Sequence, residues 1–176
     1  MNIIKIFSLF FLVIFFTSDA YAHGPSRQKV SEKIEIDASS SKVWLIVKDF
    51  KNFEWNPNIQ ETKSKSNEIG AERELHFSEG EIVKQKLEKV NEEKKFVSWR
   101  IIETNNKILP VNSYSAKIFV KESESGKTSV NYKAGFYRGF MGNDPPEELN
   151  DENSKKKVKS FIIKSLEGLK KIAETN

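Results

Sequence analysis

From Val30 onward, apolar and polar residues alternate along most of the chain, and turn residues break the alternation at intervals. Val30, Ile34 and Ile36 fall on one face of a first strand, with Ser31, Lys33 and Glu35 on the other and Glu32 interrupting the apolar side. Asp37 to Ser41 supplies helix-capping residues, and Val43, Trp44, Ile46, Val47 and Phe50 then recur at helical spacing. A second short helix is expected over Asn52 to Trp55, ended by Pro57. From Ile59 to Phe136 the period returns to two. Breaks fall at Ser66-Asn67, Ser78 to Gly80, Asn91 to Glu93, Asn105 to Pro110 and Ser123 to Gly126, giving five or six further antiparallel strands. The last part, from about Pro146 to Ala173, is helical, with Val158, Phe161, Ile162, Ser165, Leu166, Leu169 and Ile172 in one stripe and Asp151 or Asn153 as the expected cap.

This order predicts an α+β domain in which the helix stripe is buried against the only large surface available, the sheet. Strand parity makes the inward face readable. It holds Arg73, Leu75 and Phe77; Val83, Gln85 and Leu87; Val97, Trp99 and Ile101; Tyr114, Ala116, Ile118 and Val120; and Val130, Tyr132, Ala134 and Phe136. Arg73, Gln85, Tyr114 and Tyr132 are the exceptions on an otherwise apolar face. Each needs a partner if buried. Two readings follow: an internal hydrogen-bond cluster with Arg73 capped by Gln85 or a tyrosine, or an apolar cavity with a few convergent polar groups. On the second reading the ligand cavity comprises Arg73, Gln85, Trp99, Tyr114 and Tyr132, with Trp55 at its mouth.

The amino-terminal segment departs from this pattern. A weakly basic start with Lys5, an apolar run from Ile6 to Phe16 and the small-x-small site Ala20-Tyr21-Ala22 predict a cleaved secretory signal over 1–22. The run is too short to span a bilayer, which takes about 20 apolar residues. Cleavage leaves 154 of the 176 residues: a mobile tail over 23–29 and one domain over 30–174. The destination is the periplasm, with no membrane span after cleavage.

Composition narrows the chemistry. The net charge of +4, from 29 basic and 25 acidic residues, describes a mixed surface rather than a nucleic-acid footprint. With no cysteine there is no disulfide, thiolate metal site or cysteine nucleophile. The histidines are His23, which becomes the mature terminus, and His76, which parity places on the outer face. The amine and imidazole of His23 form a two-nitrogen set suited to copper that His76 would complete, but imidazole alone does not make a site. A mobile tail is the plainer reading. No inward His, Asp or Glu offers a general base, and Gln85 cannot act as one. No cofactor is called for. The acidic run from Asp144 to Glu152 suits a helix start rather than a calcium loop. Lys155, Lys156, Lys157 and Lys159 are the solvated face of the last helix or a docking surface for an acidic protein.

The strings Ile69-Gly70-Ala71-Glu72-Arg73-Glu74-Leu75, Leu109-Pro110-Val111 with Tyr114, and Ser165-Leu166-Glu167-Gly168-Leu169-Lys170 resemble the polyketide-cyclase/dehydrase branch of the START-like (SRPBCC) superfamily. Gly80, Leu87, the Val43-Trp44 helix and Trp55-Asn56-Pro57 fit the same pattern, over about Lys29 to Ala173. Two positions depart from it: Gln85 stands where relatives often have Glu, and Trp99 where they often have Tyr. The resemblance implies a helix-grip fold: a curved antiparallel sheet of six to seven strands around the long C-terminal helix, with two short helices after the first strand. Its members include cyclases, lipid carriers and proteins without a reaction, so it implies a cavity but not chemistry. His23-Gly24-Pro25-Ser26-Arg27-Gln28-Lys29-Val30 further resembles the start of the MxaD-like periplasmic proteins of methylotrophs. That likeness implies a non-catalytic accessory role in methanol oxidation, with methanol dehydrogenase or its c-type cytochrome as partner. A carrier of a small hydrophobic ligand and, behind it, a cyclase- or dehydratase-like enzyme are the alternatives.

Overall fold

The computed structural model describes residues 24–175; the expected signal segment and His23 lie outside the described residues. Among the described residues seven strands form one antiparallel sheet: β1 (Gln28–Ile36), β2 (Ile59–Ser64), β3 (Glu72–Phe77), β4 (Ile82–Asn91), β5 (Phe96–Glu103), β6 (Val111–Glu122) and β7 (Thr128–Arg138). Their order is β1-β7-β6-β5-β4-β3-β2. From β2 to β7 every neighbour in space is also a neighbour in sequence, so short turns set the registers. Only the pairing of β1 with β7 joins distant parts of the chain. It begins at Gln28, before the expected Val30, because Gln28 and Lys29 pair with Phe136 and Gly135. Register shifts in the β2–β3, β4–β5 and β6–β7 pairs mark bulges, which bend a sheet.

One helix, α1 (Ser40–Lys48), follows β1, capped by Ser39, whose Oγ accepts from the Lys42 N–H at 3.2 Å. The second expected helix is not formed. Instead the chain makes successive turns, Asn52 N–H to Asp49 O, Asn56 N–H to Phe53 O and Ile59 N–H to Asn56 O. The side chains of Asn52 and Asn56 accept from the N–H groups of Glu54 and Asn58, each at 2.9 Å, and offer the backbone an alternative to helix. Pro57 blocks continuation.

After a 3-10 turn (Glu147–Leu149), α2 (Asp151–Glu174) runs across the concave face. Its cap is Asn150 rather than Asp151 or Asn153: Asn150 Oδ1 accepts from the Asn153 N–H at 2.8 Å, leaving Asp151 and Glu152 in the first turn beside the positive end of the helix. The buried stripe matches expectation from Val158 to Leu169 but ends at Ala173, while Ile172 is 48% exposed. Four residues on from Leu169 lies closer to the sheet than three, because 3.6 residues make a turn.

The first turn of α2 is fastened. Arg138 Nη1 meets Asp151 Oδ2 at 2.9 Å, and Ser154 Oγ donates to the Pro110 carbonyl at 2.6 Å. Farther along, the turn carrying Trp55 and Asn56 lies directly on the helix: Asn56 Nδ2 donates to Ser165 Oγ at 2.7 Å. Gly168 permits this approach, since a Cβ there would fall 2.9 Å from the Trp55 carbonyl carbon and closer still to its oxygen. No helix among the described residues is long and apolar enough to cross a membrane.

Candidate ligand site

The ladder between β3 and β4 sets Arg73 opposite Gln85, and the next ladders set Leu87 opposite Trp99, Trp99 opposite Ala116 and Ile118 opposite Tyr132. Small Ala116 and Ala134, paired with each other, leave width for the Trp99 ring on that face. All six expected cavity residues are buried. Parity places five of them inward, and Trp55 lies inside rather than at an open mouth.

Arg73 is 3% exposed. Its Nε and Nη2 donate to Gln85 Oε1 at 2.9 and 2.6 Å, and Nη1 donates to the Phe50 carbonyl at 3.2 Å. The guanidinium carbon lies 4.1 Å from the centroid of Phe50, 4.4 Å from Phe53 and 5.1 Å from Trp99. Three aromatic faces and two neutral oxygens thus surround a cation that has no carboxylate partner. Burial pulls its pKa down to about 9, with the tyrosines and Asp49 opposing. Tyr114 and Tyr132 share a hydroxyl–hydroxyl contact of 3.3 Å, and burial pushes both phenols above their ordinary range.

The hydrogen-bond cluster expected on one reading is present, but it is incomplete. Gln85 spends its oxygen on Arg73, leaving Nε2 buried without an acceptor. The indole N–H groups of Trp55 and Trp99 are likewise buried and unpartnered. Trp44, by contrast, donates to Glu92 Oε2 at 2.6 Å and is a satisfied core residue. An orphaned buried donor costs about 1–3 kcal/mol. Three in one interior set that interior apart from a finished core.

Phe53 joins the cluster to the surface. It packs on Trp55 at 4.1 Å and stacks with Phe161 at 6.1 Å, and Phe161 lies 6.3 Å from Phe77. Phe77 and Phe161 form the floor of an external cleft whose rim carries Asn58, Lys107, Lys157 and Lys164. One aromatic layer therefore separates solvent from the Arg73 cage. The roles of Phe50, Phe53 and Phe161 in this arrangement escape strand parity, because two of the three lie in turns. The run of aromatics from Phe50 to Trp55 was the available signal.

Among the described residues no Asp, Glu or His is buried in this interior. His76 contacts Glu74 at 3.2 Å on the outer face of β3. Lys155, Lys156, Lys157 and Lys159 are all exposed on α2, and Lys159 approaches Glu32 at 3.5 Å. The structure does not bring these lysines to the interior.

A family described as polyketide cyclase / dehydrase and lipid transport matches residues 27–174. The chain belongs to that family. Among solved structures it is similar to an uncharacterized protein of Bacillus thuringiensis, with a TM-score of 0.69 and 24% identity over 82% of this chain and 98% of the other. The protein XoxI of Bacillus cereus gives a TM-score of 0.69 and 23% identity over 84% and 96% of the two chains. The Zhui aromatase/cyclase from a Streptomyces species gives 0.66 and 16% over 85% and 94%. At these identities the likeness is one of fold. No curated protein matches the sequence. The family chain has the helix-grip layout expected above, apart from the missing second short helix.

Proposed function

We propose that this family member is a non-catalytic binding protein that holds a small, largely apolar molecule between the sheet and α2. The supporting observation is the incomplete interior: the N–H groups of Trp55, Trp99 and Gln85 are buried without acceptors inside an otherwise apolar shell. A ligand that accepts hydrogen bonds there recovers free energy that a packed core would already have. Among the described residues no Asp, Glu or His is buried there, so the commonest general bases do not line the interior, which favours the binding role. Entry is over Phe161, from the cleft beside α2. Native mass spectrometry of the chain purified from its own host tests the reading. A reproducible small-molecule adduct released on unfolding is expected; a bare mass, with no stabilisation by host metabolite extract, overturns it.

A second reading concerns where and with whom the protein works. The likeness of His23 to Val30 to MxaD-like proteins favours a periplasmic accessory role in methanol oxidation after signal cleavage. The exposed Lys155, Lys156, Lys157 and Lys159 offer a surface for an acidic dehydrogenase or cytochrome. Cell fractionation checks the compartment. Association that weakens as salt rises, and that changes dehydrogenase-to-cytochrome electron transfer, is expected; no effect on that transfer refutes this role.

A further inference from the structure

The unpartnered groups around Arg73 are of one kind. A guanidinium carries five N–H groups; three bond to Gln85 and Phe50, so two remain. Gln85 Nε2 and Trp99 Nε1 add donors, and Trp55 Nε1 adds another beyond the Phe53 ring. In the Tyr114–Tyr132 pair one hydroxyl donates to the other, so one phenolic proton is left over. Among the described residues the other buried side-chain atom without a partner is Glu81 Oε2, whose carboxyl group faces Lys107 away from this cluster. The interior therefore has more spare donors than acceptors and a fixed positive charge, its spare side-chain acceptors being lone pairs on the two phenol oxygens.

Water does not correct this imbalance. Each water brings two protons as well as two lone pairs, so a water cluster passes the donor excess on and leaves the charge unpaired. An alcohol has the same defect in part. A carboxylate has about four acceptor sites, no proton and the opposite charge, and its two oxygens match the fork of a guanidinium. The aromatic faces on Arg73 exclude solvent, which strengthens such a pair.

We propose that the ligand is an organic monocarboxylic acid whose carboxylate is held by Arg73 with the N–H groups of Gln85 and Trp99, its apolar body lying between the sheet and α2. This rests on the binding role above and adds the ligand's chemical class. Lys157 and Lys164 give the approaching anion a favourable field at the external cleft, where Lys107 is paired with Glu81 and Glu79 is the one acidic lining residue.

Calorimetric titration of the purified chain with octanoate, octanamide and octanol tests it, because the three share a tail and differ in the head group. Octanoate should bind at least about tenfold more tightly than either neutral analogue, the margin expected of a charge-assisted pair over neutral hydrogen bonds. Arg73→Met should abolish that preference while octanol binding persists. Trp99→Phe keeps an aromatic ring but removes the indole N–H; it should weaken octanoate several-fold more than octanol, which preserves the test if Arg73→Met fails to fold. Equal binding of all three compounds, or a preference that survives Arg73→Met, overturns the carboxylate assignment and leaves the binding role standing. Binding by none of them, together with a bare native mass, overturns both.

Discussion

Replacing Gly168 by alanine should destabilise the domain, although the usual rule for a helix interior predicts the reverse. At an ordinary site Gly→Ala gains about 1 kcal/mol from reduced backbone freedom and better helix propensity. Here the new Cβ would meet the Trp55 carbonyl group, with its carbon at 2.9 Å and its oxygen nearer. Carbon atoms are comfortable at about 3.5–4.0 Å, so the turn must lift away by an appreciable fraction of an ångström or more. The partners it risks losing are the 2.7 Å bond from Asn56 to Ser165 and the burial of Trp55 and Phe53. One hydrogen bond at about 1 kcal/mol and partial exposure of a large aromatic at about 1–2 kcal/mol outweigh the propensity gain. The net loss is about 1–2 kcal/mol, within the range for overpacking. Urea unfolding followed by tryptophan fluorescence measures it, and a red-shifted native spectrum should accompany the loss. A Gly168→Ala protein as stable as the parent, with an unshifted spectrum, would refute the contact.

Other consequences can be checked with simple measurements. Asn56→Ala removes both the bond to Ser165 and the one that closes the turn at Asn58, and should cost about 1–3 kcal/mol in urea unfolding. Tyr114 and Tyr132 have folded pKa values raised by burial above the unfolded value of about 10. Their contribution to stability is therefore complete below about pH 10 and is lost as pH rises beyond it. In an alkaline titration, phenolate absorbance from these two residues should appear only together with unfolding; free titration in the native state contradicts their burial. Phe161→Ala opens the layer between the cleft and Arg73, and should speed ligand exchange while lowering stability by about 3–5 kcal/mol. Stopped-flow exchange at the parent rate would count against that route.

Much of this architecture was legible because period-two alternation is a local property. Which residues of β3 to β7 face inward follows from parity alone, so Arg73, Gln85, Trp99, Tyr114 and Tyr132 could be named as one set. The turns between strands are equally local and fell where the breaks in the pattern predicted. The expected helix at 52–55 failed because Asn52 and Asn56 close competing turns, a choice between two local bonding patterns that apolar spacing does not resolve. Placing Ile172 in the stripe failed for a related reason. Near a helix end, one residue of phase decides between the sheet and solvent.

The sequence by itself determined the strand faces, the long amphipathic helix and the polar residues that interrupt the inward surface, since each depends only on spacing along the chain. Tertiary structure alone decided what those polar residues meet. Gln85 gives Arg73 its oxygen and so leaves its own N–H in the interior without a partner. Phe50 and Phe53 come from a turn to enclose the charge, and Gly168 makes room for that turn because it has no side chain. These relations join positions tens of residues apart, and they exist only once the chain has closed on itself.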